Sequence, residues 1–285
     1  MRFRIVVLVD DYAGYDVPNL IAEHGLSIYV ENLDTGKSIL FDTGQSGHVA
    51  LHNAQVIGVN LSRISAVVLS HSHYDHSGGL EEIAKVICRG RKIPLIIHPY
   101  AFAPCIYIKN HVIRYDVGLR WSRNELESMG YKVIELRSVM EIAPGIYFLG
   151  EIPRLDPSMV SYVEGLYTIE NGVLVEHKHL DDTAIALDLG EELAVVAGCS
   201  HSGIVNIVEY AEKKLGKAVK IVIGGLHLVG KDENIVMNVC ERLKKLGVER
   251  VYAGHCTGVE AYAVLRKMFN QNFVMLRSGL VIEIP

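Results

Sequence analysis

Apolar residues along the chain fall into short runs rich in Val, Ile and Leu, each closed by Gly, Asp or His. "RIVVLVD" at 4–10, "LSIYVEN" at 26–32 and "SILFDTG" at 38–44 predict strands of one sheet. "ISAVVLS" at 64–70 is continuously apolar, the pattern of a strand buried on both faces. "GGLEEIAKVICRG" predicts a helix ending near Gly90, and "PLIIHP" at 94–99 a further strand. From 100 to about 130 the pattern is irregular, apart from a short helix in "RWSRNELESMG". Strand character returns in "GIYFLGEIPR" at 145–154.

The second half repeats the style. "GLYTIENGVLVE" places Asn171-Gly172 between two strand-like runs, a hairpin signal. "TAIALDL" and "LAVVAGCSHSG" predict strands, and "IVNIVEYAEKKLG" a helix with a closing glycine. "AVKIVIGGLHL", "RVYAGHCTG" and "GLVIEI" continue as strands, with helices "NIVMNVCERLKKLG" and "VEAYAVLRKMF" between them. No proline-rich linker or low-complexity stretch divides the chain. The expectation is one α/β domain over 1–285, two sheets sandwiched between outer helices, with a recognition segment inserted near 100–130.

Composition narrows the partners. The formal net charge is −5 and no Lys/Arg stripe is present, which argues against nucleic acid. No apolar stretch approaches the roughly 18 residues of a membrane helix, and "MRFRIVVLVDD" reads as a first strand, not a signal peptide. Five cysteines without a C-x-x-C pair point to a reducing compartment, so the cytoplasm is expected. A homo-oligomer stays open.

Chemistry gathers at strand ends. Asp42 closes "ILFDTG"; His71, His73, Asp75 and His76 follow "AVVLS"; Cys199 and His201 follow "LAVVAG"; His227 follows "IVIGG"; His255 follows "VYAG". Ligand sites of α/β proteins form outside the carboxyl ends of strands. In an extended segment alternate side chains share a face, so His71 and His73 can grip one ion. Asp75 and His76 then turn toward a second position, as in two-metal hydrolytic sites. Imidazoles with carboxylates suit Zn²⁺, and also Fe or Mn, so one to two divalent transition-metal ions are expected. Gly78 and Gly79 allow the tight turn into the helix. His48, His52, His98, His111 and His177 fit no strand-end pattern and are expected at the surface; His179 lies just before "LDDTAIAL".

These motifs resemble the metallo-β-lactamase superfamily across essentially the whole chain, which implies a four-layer αββα sandwich with metals at one edge. "AEHGLS" (22–27), "GEIPR" (150–154), "DDTAIAL" (181–187), "GCSHSGIVN" (198–206), "GGLHL" (224–228) and "HCTG" (255–258) resemble its dihydropteroate-synthase-like branch. That branch is named for joining a dihydropterin to a ribofuranosyl-aminobenzene phosphate in methanopterin synthesis; many of its members are known only as metal-dependent hydrolases. One departure stands out. The superfamily usually bridges its metals with an aspartate where this chain has Cys199, so Asp182, Cys199 or neither takes that role. Asp182 is expected as a weaker metal contact or a support for the ligands, His201 as the ligand from "GCSH", and Cys199 as packing. His227 and Asp42 are further candidates for ligand or support.

The leading expectation is a metal-dependent hydrolase acting through a metal-bound hydroxide on a phosphorylated small molecule. His71, His73 and His201 would hold one ion, Asp75, His76 and His255 the second, with Asp75 also catalytic, orienting the attacking water and carrying the leaving proton. A synthase would instead bind a diphosphate leaving group while an arylamine attacks carbon; the third reading is a metal-binding sensor without turnover. His24, Arg120, Trp121 and Arg154 are candidate substrate contacts.

Overall fold

The computed structural model describes all 285 residues. Its two large sheets follow from alternation along the strands. Ile5 and Val7 point into one core while Val6 and Leu8 point into another; Ile39 and Phe41 split from Leu40 in the same way. In the second half Ile185, Leu187, Ala194 and Val196 join the shared core, and Ala184, Ala186, Val195 and Ala197 face the opposite side. Three apolar cores between four layers result, which is the αββα sandwich. Each fully buried Leu, Ile or Phe contributes roughly 1.5–3 kcal/mol to its cohesion.

The first sheet runs Val281–Ile284, Phe3–Val9, Ser27–Asn32, Lys37–Phe41, Ala66–Val68, Ile93–Ile97, Tyr131–Glu135. Its last four strands are mutually parallel. The second runs Phe273–Met275, Arg250–Gly254, Ala218–Gly225, Glu192–Ala197, Ala184–Asp188, Ile146–Phe148, Met140–Ala143. Its first four strands are parallel. Helices Gly47–Ile57 and Leu80–Ile87 cover the first sheet, and Ile204–Leu215, Glu233–Lys245 and Val259–Phe269 the second. No helix is long and apolar enough to cross a membrane.

The segment near 100–130 departs from its irregular reading. It holds a hairpin, Ile106–Lys109 with Val112–Asp116, and the helix Arg123–Ser128, opened by a Ser122/Glu125 capping box. Strand Leu166–Glu170 pairs with Ile106–Lys109 and is joined to Val173–Glu176 by the expected Asn171-Gly172 turn, making a separate four-stranded sheet. Both turn residues have positive φ. The alternation that would have revealed the hairpin is blurred because both its faces carry apolar side chains.

Gly78 and Gly79 have ordinary helical φ of −60° and −80°. What they provide is close approach: a Cβ would stand 2.2 Å from the Gln45 carbonyl oxygen at 78 and 2.3 Å from that of Thr43 at 79. The helix start is thereby pressed onto the loop that carries Asp42.

Candidate metal centre

Parallel strands of both sheets end at the same edge of the sandwich, and their last residues converge. His71, His73 and His201 each offer a ring nitrogen, all within 4.8 Å of one another. Hydrogen bonds fix which nitrogen is free. Ser70 Oγ donates to Asp42 Oδ2 at 2.7 Å, so its remaining capacity at 2.9 Å accepts from His71 Nδ1–H. His201 Nδ1–H donates to the Ser161 carbonyl at 3.2 Å. Both leave Nε2 with a bare lone pair, and both Nε2 atoms are buried without a hydrogen-bond partner. His73 turns Nε2 to Cys105 Sγ at 3.6 Å, leaving Nδ1 for the centre. Burial, with neighbouring histidines, holds His71 and His201 well below the usual histidine range and His73 at about 4. Neutral, orphaned imidazoles in a buried triangle are what a cation needs.

A second group adjoins the first. His76 Nδ1–H donates to Asp42 Oδ2 at 2.7 Å and His255 Nδ1–H to Asp11 Oδ1 at 2.8 Å. Their Nε2 atoms face each other at 3.2 Å. Asp75 Oδ2 is 3.2 Å from His255 Nε2 and 3.5 Å from His76 Nε2. Cys199 Sγ is 3.2 Å and 3.4 Å from the same two nitrogens. Two nitrogens about 2.0–2.1 Å from one tetrahedral ion would stand roughly 3.3 Å apart, so this donor set fits a divalent cation. Burial raises the Asp75 carboxyl, but His76, His255 and His73 outweigh it and hold the group well below the usual range. Burial disfavours charge on His255, yet Cys256, Asp11 and Asp75 keep its proton on well above the usual histidine range.

Other expected residues fall outside the donor set. Asp42 is wholly buried and spends its carboxylate on Ser70 N, Ser70 Oγ and His76 Nδ1, orienting ligands without facing the pocket. Asp182 accepts from His201 N at 3.0 Å, Ser202 N at 2.8 Å and Ser202 Oγ at 2.5 Å. It fixes the loop carrying His201 and does not line the cavity. Cys199, expected as packing, stands instead among the nitrogens of both groups. His227 lines the pocket with its ring 4.3 Å from that of His201. His98 and His177, expected at the surface, are buried, as is His179, whose ring stacks on His201 at 4.2 Å. His48 and His111 are exposed.

Asp42, His179, Ser200, His227 and His255 all adopt positive φ without being glycine. Each such residue costs on the order of 1 kcal/mol or more, and such strain concentrates at functional sites.

A cavity of about 330 Å³ opens onto the donors. Its lining includes His73, Asp75, Cys199, His201 and His255, together with Tyr107, Tyr115, Val117 and Leu166 in or beside the small sheet and Tyr74, which packs with Tyr107, Val117 and Leu166. His24 lines it, held by Asp11 Oδ2 at 3.0 Å and 3.5 Å from Asp75 Oδ2. No lysine or arginine lines it. Arg154 donates to the carbonyls of Ile152, Lys178 and His179, bracing the 177–182 loop, and does not line the cavity. Trp121 packs on the core beneath the first sheet, and Arg120 is exposed away from the cavity. Sequence reasoning missed Asp11 and the tyrosines; Asp11, in the acidic pair after the first strand, was a strand-end signal of the same kind as Asp42.

Residues 21–88 match the metallo-beta-lactamase superfamily profile. The chain is 34% identical, over 99% of its length and 97% of the relative's, to the 7,8-dihydropterin-6-methyl-4-(β-D-ribofuranosyl)-aminobenzene-5'-phosphate synthase of Methanocaldococcus jannaschii. It is similar to the crystal structure of Tm1679, a metal-dependent hydrolase of the beta-lactamase superfamily, with TM-score 0.83 and 26% identity over 99% of both chains. The Zn²⁺-bound PqqB of Methylobacterium extorquens shares the fold at TM-score 0.56 and 13% identity, over 99% of this chain and all (100%) of that one.

Proposed function

The chain belongs to the metallo-beta-lactamase superfamily of metal-dependent enzymes, and on that ground we propose that it is a synthase joining a dihydropterin to an aminobenzene ribofuranosyl phosphate. The observation that carries this reading is a cavity lined both by the donor cluster, with no lysine or arginine, and by Tyr74, Tyr107 and Tyr115. A diphosphate leaving group would have to be neutralised at the donor cluster, whereas planar pterin and aryl rings suit the tyrosines. The full-length relative bears the name of that reaction.

In this assignment His71, His73 and His201 hold one divalent ion and Asp75, His76, His255 and Cys199 the other, Zn²⁺ suiting the nitrogen and sulfur donors. Bound ions supply Lewis acidity, stabilising the departing diphosphate or lowering the pKa of a water. The chain's own residues do the rest. Asp42 and Asp11 fix the tautomers of His76 and His255 so that Nε2 faces inward. Asp75, held ionised, is a ligand and orienting group; the neutral carrier of a leaving proton is a poorer description of it. Tyr107 and Tyr115, with ring centroids 5.3 Å apart, set the plane in which a ring can lie. The arylamine nitrogen attacks the pterin methylene carbon as that carbon's C–O bond to diphosphate breaks; the electron pair leaves with diphosphate, which takes up the proton that the amine gives.

A hydrolase is the second reading, favoured by the likeness to Tm1679 and by a cavity open to water. Zinc-loaded protein given hydroxymethyl-dihydropterin diphosphate, with and without the arylamine, separates the two. Condensed product by mass spectrometry, with diphosphate release dependent on the amine, is expected. Equal release without the amine would make it a hydrolase, and no turnover in either arm would overturn both.

A further inference from the structure

Cys256 follows His255 and has no part in the chemistry proposed above. It is partly exposed on the cavity wall, whereas Cys240 is sealed in the core behind the second sheet, as an apolar filler would be. The strands that lead to Cys199 and Cys256, Glu192–Ala197 and Arg250–Gly254, are not neighbours; Ala218–Gly225 runs between them. The gap is bridged because the middle strand ends in glycine. A Cβ on Gly225 would stand 2.6 Å from Cys256 Sγ and 3.5 Å from Cys199 Cα, so the missing side chain is the passage through which the sulfur crosses. Cys256 Sγ reaches 3.5 Å from the Cys199 carbonyl. Cys199 Sγ, Cys256 Sγ and a ring nitrogen of His255 then lie within 4.8 Å of one another. Sulfur and nitrogen ligands of one zinc, at about 2.3 and 2.0 Å from it, stand roughly 3.5–3.8 Å apart, so a small side-chain rotation closes the set.

We propose that Cys256 is a metal ligand, and that with Cys199 and His255 it makes the second half of the centre a sulfur-rich site for a thiophilic divalent ion. Two thiolates beside an imidazole favour Zn²⁺, Cd²⁺ or Co²⁺ over Mn²⁺ and Mg²⁺, which prefer oxygen. The nitrogen-only triangle of His71, His73 and His201 lacks that selectivity. The inference rests on the reading that this half of the centre holds an ion, but not on which reaction follows.

The probe is Co²⁺, loaded into the full-length chain and followed by the near-ultraviolet sulfur-to-cobalt charge-transfer band. Wild type should show the band, C256S should lose about half of it, C199S/C256S all of it, and C88S none. A band unchanged in C256S would overturn the proposal. Should the serine variants not fold, ¹¹³Cd NMR of the unaltered chain decides: a resonance shifted into the two-thiolate range supports the site, and resonances only in the nitrogen and oxygen range exclude it. Cobalt bound without any sulfur band would defeat this inference and leave the metal-enzyme reading intact. No cobalt bound at all would defeat both.

Discussion

The two halves of the centre are built on different principles. In the triangle of His71, His73 and His201, ring nitrogens lie within 4.8 Å of one another, and two are buried without a hydrogen-bond partner. In the group of Asp75, His76, His255 and Cys199, the donors already engage one another at 3.2–3.5 Å, and one carries a proton that its acidic neighbours hold. The first is a set of neutral ring nitrogens that can take a cation without first giving up a proton. The second is a closed hydrogen-bonded cluster that must exchange a proton for its ion, so its occupancy should depend more on pH and on the ion's softness.

The largest expected effect falls on the triangle. His71→Ala with His73→Ala should remove that ion outright and most of the activity, read by metal analysis of the purified protein; undiminished metal would refute the assignment. Cys199→Ser should cost the second ion while sparing the first, seen as stoichiometry falling toward one per chain. Retention of both ions would return Cys199 to a packing role. Asp42→Asn and Asp11→Asn act one step back, on His76 and His255. Each should weaken binding of the second ion by roughly 10- to 100-fold in a competition titration, the scale for losing a carboxylate behind a ligating histidine.

Acid should act on the metal-free fold through the triangle. His73 titrates near 4 when folded because burial penalises its charge, against 6.5 when exposed. Between those values the unfolded chain binds more protons, so stability is full above about pH 6.5 and declines as pH falls toward 4. A metal-free melting temperature flat across that window would contradict this. The smallest effect belongs to the tyrosines. Tyr107→Leu should raise KM several-fold, an aromatic contact being worth about 0.5–1.5 kcal/mol, with metal content unchanged.

Much of this was legible beforehand. Runs such as "ISAVVLS" and "LAVVAG" announced buried strands, and the histidines after them do gather at one edge, because a parallel strand delivers whatever follows it there. The hairpin Ile106–Lys109/Val112–Asp116 was not legible because both its faces carry apolar side chains, which blurs the alternation, and its pairing with the distant Leu166–Glu170 leaves no local signal.

The sequence by itself determined the layers, the strand ends and the cluster of histidines with Asp75 that gathers there, since these follow from alternation and from residue chemistry at fixed spacing; the approach of Cys199 and Asp11 to that cluster did not follow from it. Tertiary structure decided the roles within that set. Whether Asp182 or Cys199 stands among the ring nitrogens depends on where three hydrogen-bond donors of the 201–202 loop settle; they settle on Asp182, and Cys199 is the one beside the histidines. Whether Arg154 meets substrate depends on which carbonyls come within its reach. Such choices are made by distances between segments remote in sequence, where a rotation of one side chain exchanges a ligand for a brace.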